Sequence, residues 1–300
     1  MGQINHDITV CQVAIQKNCW DFKYLSTLPK NVTVAVVKLP IRLTFATPAV
    51  VLRSWPYGES DKIVCLLTES YGKVRGIAKG AKRSRKRFAN SLELFSLVNL
   101  RFQDRPHGGL VFILSADLTF AFKRLDTSLE KIALASYLVE ITDGLIAERD
   151  ESALVFQHLK NGLLFLERDG TAPLEFLTSF ELKLLRLAGY QPALDRCKRC
   201  SVTRREHGAA RWYFSLAEGG ILCGACAQLR KEILPLGAAA LAALIKLQEE
   251  YREEKINGLG GGSLPVAVLK EIRFLIQRFL QFHMEREIRS AAFIAKFVAV

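Results

Sequence analysis

Histidine is scarce in this chain. The five residues, His6, His107, His158, His207 and His283, are scattered and never take the H-E-x-x-H spacing that grips a catalytic zinc from one helix face. A Walker A loop, a G-x-S-x-G elbow and a strand-borne G-x-G-x-x-G are all missing. Gly258–Gly262 is glycine-rich, but no Lys-Ser/Thr pair follows it and no strand precedes it, so it does not read as a phosphate loop. Acidic residues do not pair in the manner of a two-metal nuclease site. Together these absences lead us to expect a binding protein rather than an enzyme. Residues 1–20 lack a charged start followed by an apolar run, so no secretory signal is read there. The longest uncharged apolar stretch near the C-terminus, Ile233 to Ile245, is too short to span a bilayer. The expectation is a soluble, cytoplasmic protein with no membrane partner.

Acidic residues are also missing from one particular stretch. Between Glu69 and Glu93 there are none, yet eight cations occur there: Lys73, Arg75, Lys79, Lys82, Arg83, Arg85, Lys86 and Arg87. The whole chain carries a net charge of +12 with a pI near 9.5, which favours a polyanionic partner. Such a run often forms a solvated loop. Here it lies beside strand-like segments and Gly72, Gly76 and Gly80, a setting that fits a folded surface offering cations to a phosphate backbone. The aromatic residues Trp55, Tyr57 and Phe88 are candidates for stacking on bases, although a barrel also needs aromatic core.

What the chain does have is two cysteine pairs, Cys197-Lys198-Arg199-Cys200 and Cys223-Gly224-Ala225-Cys226, with 22 residues between them. Each C-x2-C turn directs two sulfurs at one point, and two such turns complete a tetrahedron around Zn²⁺. Between them, Trp212–Ser215 is strand-like, Glu218-Gly219-Gly220 supplies a turn and Ile221-Leu222 runs back, so a hairpin brings the pairs together. Arg196, Lys198, Arg199 and Arg230 favour the thiolate that a metal needs. Two disulfides, a redox pair or unrelated thiols are the competing readings. Four sulfurs leave no open coordination position, so such a zinc is structural, and His207 would be a superfluous fifth ligand. The remaining Cys11, Cys19 and Cys65 are odd in number and scattered, which argues for a reducing compartment over a disulfide scaffold.

The hydrophobic period divides the chain. Residues 1–46 show little pattern beyond Val32–Val37 and read as an N-terminal extension, disordered or wrongly started. Strand-like segments then follow at Ala49–Trp55, Lys62–Thr68, Lys73–Ala78, Glu93–Phe102 and Leu110–Phe120, which predict a small closed barrel over 47–121. The count of five matches an OB-fold, and an SH3-like barrel is the alternative. Helical spacing takes over at Leu134, Leu138, Ile141 and Leu145, and again at Leu177, Phe180, Leu184 and Leu187. Asp126 or Ser128 is the expected cap of the first helix, and Gly189 with Pro192 the end of the second. Further helices are predicted at Leu236–Arg252 and Leu264–Phe282, the latter with a stripe of Ile272, Leu275, Ile276 and Phe279. The fold class is therefore α+β and multi-domain: a five-stranded barrel, a helical domain in two parts (122–195 and 231–300), and a zinc element inserted at 196–230.

Several of these segments also carry a family resemblance. The run from Ala49 to Val64, AVVLRSWPYGESDKIV, is similar to the opening of the RecO family of bacterial recombination mediators. Thr68–Lys73 with Ala78–Arg83 resembles that family's second and third strands and basic loop. Phe214–Cys226 resembles its zinc hairpin, and Arg289-Ser290 with Phe293-Ile294 its C-terminal tail. The likeness spans roughly residues 47–295 in family order. It implies an N-terminal OB-fold, a helical C-terminal domain and zinc on Cys197, Cys200, Cys223 and Cys226. It also implies binding of single- and double-stranded DNA, annealing of complementary strands, and partnership with RecR and the single-stranded DNA-binding protein. The outcome would be loading of RecA, with residence at the nucleoid. The acidic, Phe-ended tail of the single-strand-coating protein needs an apolar pocket beside cations. Leu264–Phe282, with Lys270, Arg273 and Arg278, is the expected region for it. Two other classes compete: a zinc-ribbon transcription or translation factor, and an RNA-modification enzyme that delivers substrate through an OB-fold.

Overall fold

Strand β1, Thr44–Tyr57, is the first described element and begins earlier than the predicted Ala49. A computed structural model describes residues 43–105, 108–168, 174–207, 211–228, 230–252 and 264–294. All but the last four residues of the expected extension lie outside these, with His6, Cys11, Cys19 and Val32–Val37. His107 and the glycine loop at 258–263 lie outside them too.

β1 pairs antiparallel with β2 (Asp61–Thr68) and with β4 (Leu97–Gln103), β2 pairs with β3 (Lys73–Ala78), and β4 with β5 (Val111–Phe120). A parallel β3–β5 pairing closes the barrel in the order β1-β2-β3-β5-β4. This closed five-strand barrel is OB-like. The alternation in β4 shows why these residues choose strand: Val98, Leu100 and Phe102 point inward, while Asn99 and Arg101 face out. Gly76 makes the closure possible, because a Cβ there would lie 2.4 Å from Ile113 Cδ1 across the parallel pair.

The barrel has two apolar faces. Its interior holds Ala49, Val51, Val64, Leu66, Val74, Val98, Leu100 and Phe102. The outward-facing Val50, Leu52, Cys65 and Leu67 of β1 and β2 belong instead to the core of the helical part. That part begins with a 3₁₀ turn at Leu125–Thr127 and α1 (Leu129–Leu145), which buries Leu134, Leu138, Ile141 and Leu145 as the spacing predicts. Ser128 occupies the N-cap position of α1, but its side chain makes no capping bond. α2 (Ala153–Arg168) follows and is a helix not singled out by the stripes above. α3 (Leu174–Leu187) ends where Gly189 adopts φ +82°, with the Tyr190 N–H donating to Leu185 O at 2.7 Å.

Next comes the inserted module: short α4 (Arg204–His207), hairpin β6 (Trp212–Ser215) and β7 (Gly220–Cys223), short α5 (Gly224–Ala227) and β8 (Ile233–Leu236). β8 adds to β6 as an edge strand, which is why Pro235 is tolerated in it. α6 (Ala238–Arg252), α7 (Val266–Met284) and α8 (Arg289–Ile294) complete the bundle. Phe214 of the module meets Phe279 of α7 edge-to-face, with ring centroids 5.1 Å apart. Burying a ring such as Phe279 stabilises by about 2–3 kcal/mol, so this contact fastens the module to the bundle.

Polar contacts lock the barrel to α1. Asp143 receives Arg53 from β1 at 2.7 Å, Lys73 from β3 at 3.2 Å and Arg286, beyond α7, at 3.5 Å. Burial opposes ionisation of Asp143, but Lys73 and Arg53 outweigh it and hold the carboxyl below the usual aspartate range. Gly72, at φ +61°, lets the chain pass against Asp150, whose carbonyl oxygen lies 2.3 Å from where a Cβ would sit.

Candidate functional site

The hairpin β6–β7 ends with Cys223 at the N-cap of α5, and α5 carries Cys226 one turn later. The first pair sits on a turn fixed from both sides. The Cys197 N–H donates to Val202 O at 2.9 Å, and the Lys198 N–H donates to Ile221 O of β7 at 2.9 Å. Ser201, at φ +61°, reverses the chain after Cys200. The two turns therefore meet: the sulfurs of Cys197, Cys200, Cys223 and Cys226 all lie within 4.8 Å of one another, with Cys200 and Cys223 3.6 Å apart. A tetrahedral ion with metal–sulfur bonds of ~2.3 Å sets its sulfurs about 3.8 Å apart, so these four fit a metal ion. All four are free cysteines. Burial opposes ionisation of Cys197. The backbone N–H groups of Cys200, Cys223 and Arg199 more than offset it and bring the thiol down to about 6. A thiolate is thus favoured at the least accessible corner, where a metal needs it. With four sulfurs on the ion, no position remains for substrate.

The cationic run divides in the structure. Lys73 and Arg75 on β3 are turned to the helical part, Lys73 against Asp143 and Arg75 Nε against Glu148 Oε1 at 3.0 Å. Lys73 is nearly buried and serves the joint between barrel and helices, which corrects its placement in an exposed basic run. The other six, Lys79, Lys82, Arg83, Arg85, Lys86 and Arg87, are exposed on the segment between β3 and β4. None of the six forms an ion pair among the described residues. Two are tethered to carbonyl oxygens instead, Lys82 Nζ to Gly58 at 2.7 Å and Arg87 Nη2 to Lys79 at 2.8 Å.

This segment is held in place. Phe88 and Leu92 insert into the barrel core, and the Arg87 carbonyl accepts from the Ala116 N–H of β5 at 3.0 Å. Phe88, 3% exposed, is core and cannot stack on a base, which corrects that expectation. At its start the loop is pinned to the β1–β2 turn. The Gly80 N–H donates to Asp61 Oδ1 at 2.8 Å, and the Lys82 N–H donates to Ser60 O at 2.9 Å. The Gly80 N–H and the Ser60 hydroxyl hold the Asp61 carboxyl below its usual range. Trp55 and Tyr57, two apart on β1 and 37% and 53% exposed, lie at the same hairpin end. The start of the cationic segment and the two accessible rings thus share the β1–β2 hairpin end.

On α7 the stripe Ile272, Leu275, Ile276 and Phe279 is fully buried core, so it offers no groove. Arg273 is buried too, because it pairs with Glu181 on α3, whose other oxygen accepts from the Tyr137 hydroxyl. It therefore cannot serve a surface pocket, contrary to the expectation. The exposed face of α7 instead presents Lys270, Phe274, Arg278 and Phe282 at four-residue spacing. Sequence reasoning missed these phenylalanines. The signal lay in their spacing, out of phase with the stripe.

An OB-like barrel joined to a helical body with an inserted four-cysteine module defines the class: a two-part barrel-and-bundle protein with a metal-capable knuckle. Two family models match it, Recombination protein O N terminal over residues 43–122 and Recombination protein O C terminal over residues 126–292. Among curated relatives, DNA repair protein RecO of Anaeromyxobacter dehalogenans (strain 2CP-C) is 38% identical over 248 residues, covering 82% of this chain and 93% of the relative. DNA repair protein RecO of Syntrophus aciditrophicus (strain SB) is 31% identical, covering 83% and 94% respectively. That of Thermoanaerobacter sp. (strain X514) is 32% identical, covering 83% and 96%. The chain belongs to the RecO family. This membership supports a role in DNA repair and recombination. Among the described residues, no helix is long and apolar enough to cross a membrane.

Proposed function

We propose that this protein is a non-enzymatic recombination mediator that binds single- and double-stranded DNA, anneals complementary strands and helps load RecA onto coated single strands. The observation that carries the reading is the anchored cationic segment beside Trp55 and Tyr57. Cations on a fixed surface neutralise phosphates and release counterions, which gives binding that is indifferent to sequence and sensitive to salt. Annealing requires no catalytic group. It requires two strands with screened charge and bases free to pair. The DNA-contacting residues are Lys79, Lys82, Arg83, Arg85, Lys86 and Arg87, with Arg75 at the margin where Glu148 half-neutralises it.

Cys197, Cys200, Cys223 and Cys226 would hold one Zn²⁺, which cross-links the two turns of the module and supplies folding energy. The partners are RecR and the acidic, Phe-ended tail of the single-strand-coating protein, in the cytoplasm at the nucleoid. The Lys270–Phe274–Arg278–Phe282 row on α7 offers that tail apolar contact flanked by cations. Titrating a labelled tail peptide against the full chain and its Phe274→Ala and Arg278→Glu variants tests this placement. Unaltered affinity in both would move the site elsewhere.

The decisive experiment is strand annealing with purified protein and complementary oligonucleotides, with and without the coating protein. Acceleration that survives coating supports mediation. No acceleration above the spontaneous rate, or a preference for one duplex sequence, would favour a zinc-ribbon factor instead.

A further inference from the structure

The inserted module carries a second cluster of cations that the barrel surface does not use. Lys198 and Arg199 lie within the first cysteine turn, and Arg230 and Lys231 follow the second. All four are exposed, and the two arginines converge on Glu218, which is mostly buried at the tip of the β6–β7 hairpin. Arg199 Nε reaches Glu218 Oε1 at 2.7 Å, and Arg230 Nε approaches the same oxygen at 3.6 Å. The two guanidinium groups, one from the first cysteine turn and one from the segment that follows the second, are therefore held within about 6 Å of each other by a shared acceptor.

Both arginines approach Glu218 through Nε, and neither pairs with a second carboxylate among the described residues. The stem of Lys198 lies over Gly220, with its Cγ 2.8 Å from where a Cβ would sit, so this lysine is positioned at the same hairpin tip. Lys198 and Lys231 make no ion pair among the described residues. Against these four cations the adjoining chain offers Glu218 and Glu232, so the segment carries a net positive charge.

The character of the surface decides its partner. No large hydrophobic side chain is exposed among the described residues of the module, 195–237. An acidic peptide that anchors through a ring would find nowhere to seat it, whereas α7 offers exposed phenylalanines for that purpose. A polyanion recognised by charge and forked N–H donors alone needs only what this face provides.

We infer that the hairpin tip of the cysteine module is a second nucleic-acid contact, which takes the phosphate backbone of a strand other than the one on the barrel. The inference rests on the reading of the protein as a DNA binder and adds to it a second seat on the same chain. It accounts for how one molecule could bring two strands together.

The test uses the full chain and two non-complementary oligothymidines, one labelled with a donor and one with an acceptor fluorophore. Lys198→Glu/Lys231→Glu leaves the Glu218 bridge intact, and Arg199→Gln/Arg230→Gln removes charge without reversing it. Metal content and melting temperature confirm that both variants are folded. Energy transfer reports two strands on one protein, and anisotropy reports the first. In the variants, affinity for the second strand should fall at least tenfold while that for the first stays within about twofold. The salt slope of the second event should become shallower by about 0.7 for each phosphate that is no longer neutralised.

A variant with Lys82, Arg83, Arg85 and Lys86 changed to Glu should show the opposite pattern. If it leaves first-strand binding untouched while the hairpin-tip variants lose theirs, the barrel reading fails and the module remains the DNA surface. Binding of a single strand per chain by the wild type overturns the second seat. Unchanged second-strand affinity in both hairpin-tip variants overturns it too, as does an effect confined to binding of an acidic peptide.

Discussion

His158 is buried in the helical core, stacked on Phe180 at 4.2 Å with its Nε2 3.0 Å from the Phe180 carbonyl. Burial pushes its titration down to about 4, outweighing that hydrogen bond. As pH falls, the unfolded chain takes up the proton first, near 6.5, so stability is lost between about pH 6.5 and 4 and levels off below. The loss amounts to roughly 3 kcal/mol across that window. Denaturant midpoints at pH 7.5 and 4.5 should show it, and His158→Gln should flatten it. Arg273 gives a second expectation at this scale. Arg273→Met leaves Glu181 buried without its cation and should destabilise by about 3–5 kcal/mol. Glu181→Leu/Arg273→Met should recover most of the loss in urea unfolding. The sequence concealed this pair because Arg273 and Glu181 stand 92 positions apart, on different helices. The cysteines, by contrast, were legible because their chemistry lies in local spacing. Phe88 was ambiguous for a related reason: an aromatic residue in a cationic run reads as a base platform until the barrel core claims it.

Among elements, the alternating strands were readable and their limits less so. Thr44–Thr47 lack the continuous apolar run of Ala49–Leu52, yet they pair with β4 because the closed barrel needs a partner for that edge. β8 was hidden within the apolar run that continues into α6, and only its register against β6 separates them. The join between β3 and the segment after α1 is the most sensitive junction. Lys73 bridges to Glu148 in parallel, and the Arg149 N–H donates to Lys73 O at 3.0 Å, directly after Gly72. Gly72→Ala combines a left-handed φ with a clash against backbone at Asp150. It should cost more than the ~1 kcal/mol of strain expected for such a residue in open space. Hydrogen exchange should show faster opening at 148–150 in this variant before any change within the barrel. Asp143→Asn tests the same joint by charge. Its carboxyl is held below the ordinary range, so its contribution is present at neutral pH and lost as pH falls through its folded value. The substitution should remove that acid-side loss and lower stability at pH 7 by about 1–3 kcal/mol.

At the scale of the whole molecule, two interventions separate architecture from binding. Removing the metal with a chelator, or changing Cys223 to Ser, should unravel the module, since structural zinc couples to folding. Circular dichroism and metal analysis would detect this, and purified protein without stoichiometric zinc would contradict it. Reversing the exposed loop cations should weaken binding to single strands of any sequence and flatten the salt dependence, with melting temperature unchanged. The division of the barrel's apolar surface has its own consequence. Val50, Leu52, Cys65 and Leu67 lie on barrel strands, yet they complete the core of the bundle. Cutting the chain after residue 122 would strip a hydrophobic wall from both halves, leaving each sticky and incompletely folded. The two family segments are therefore separate stretches of sequence but one cooperative folding unit, and thermal unfolding of the intact chain should pass through a single transition that both halves share.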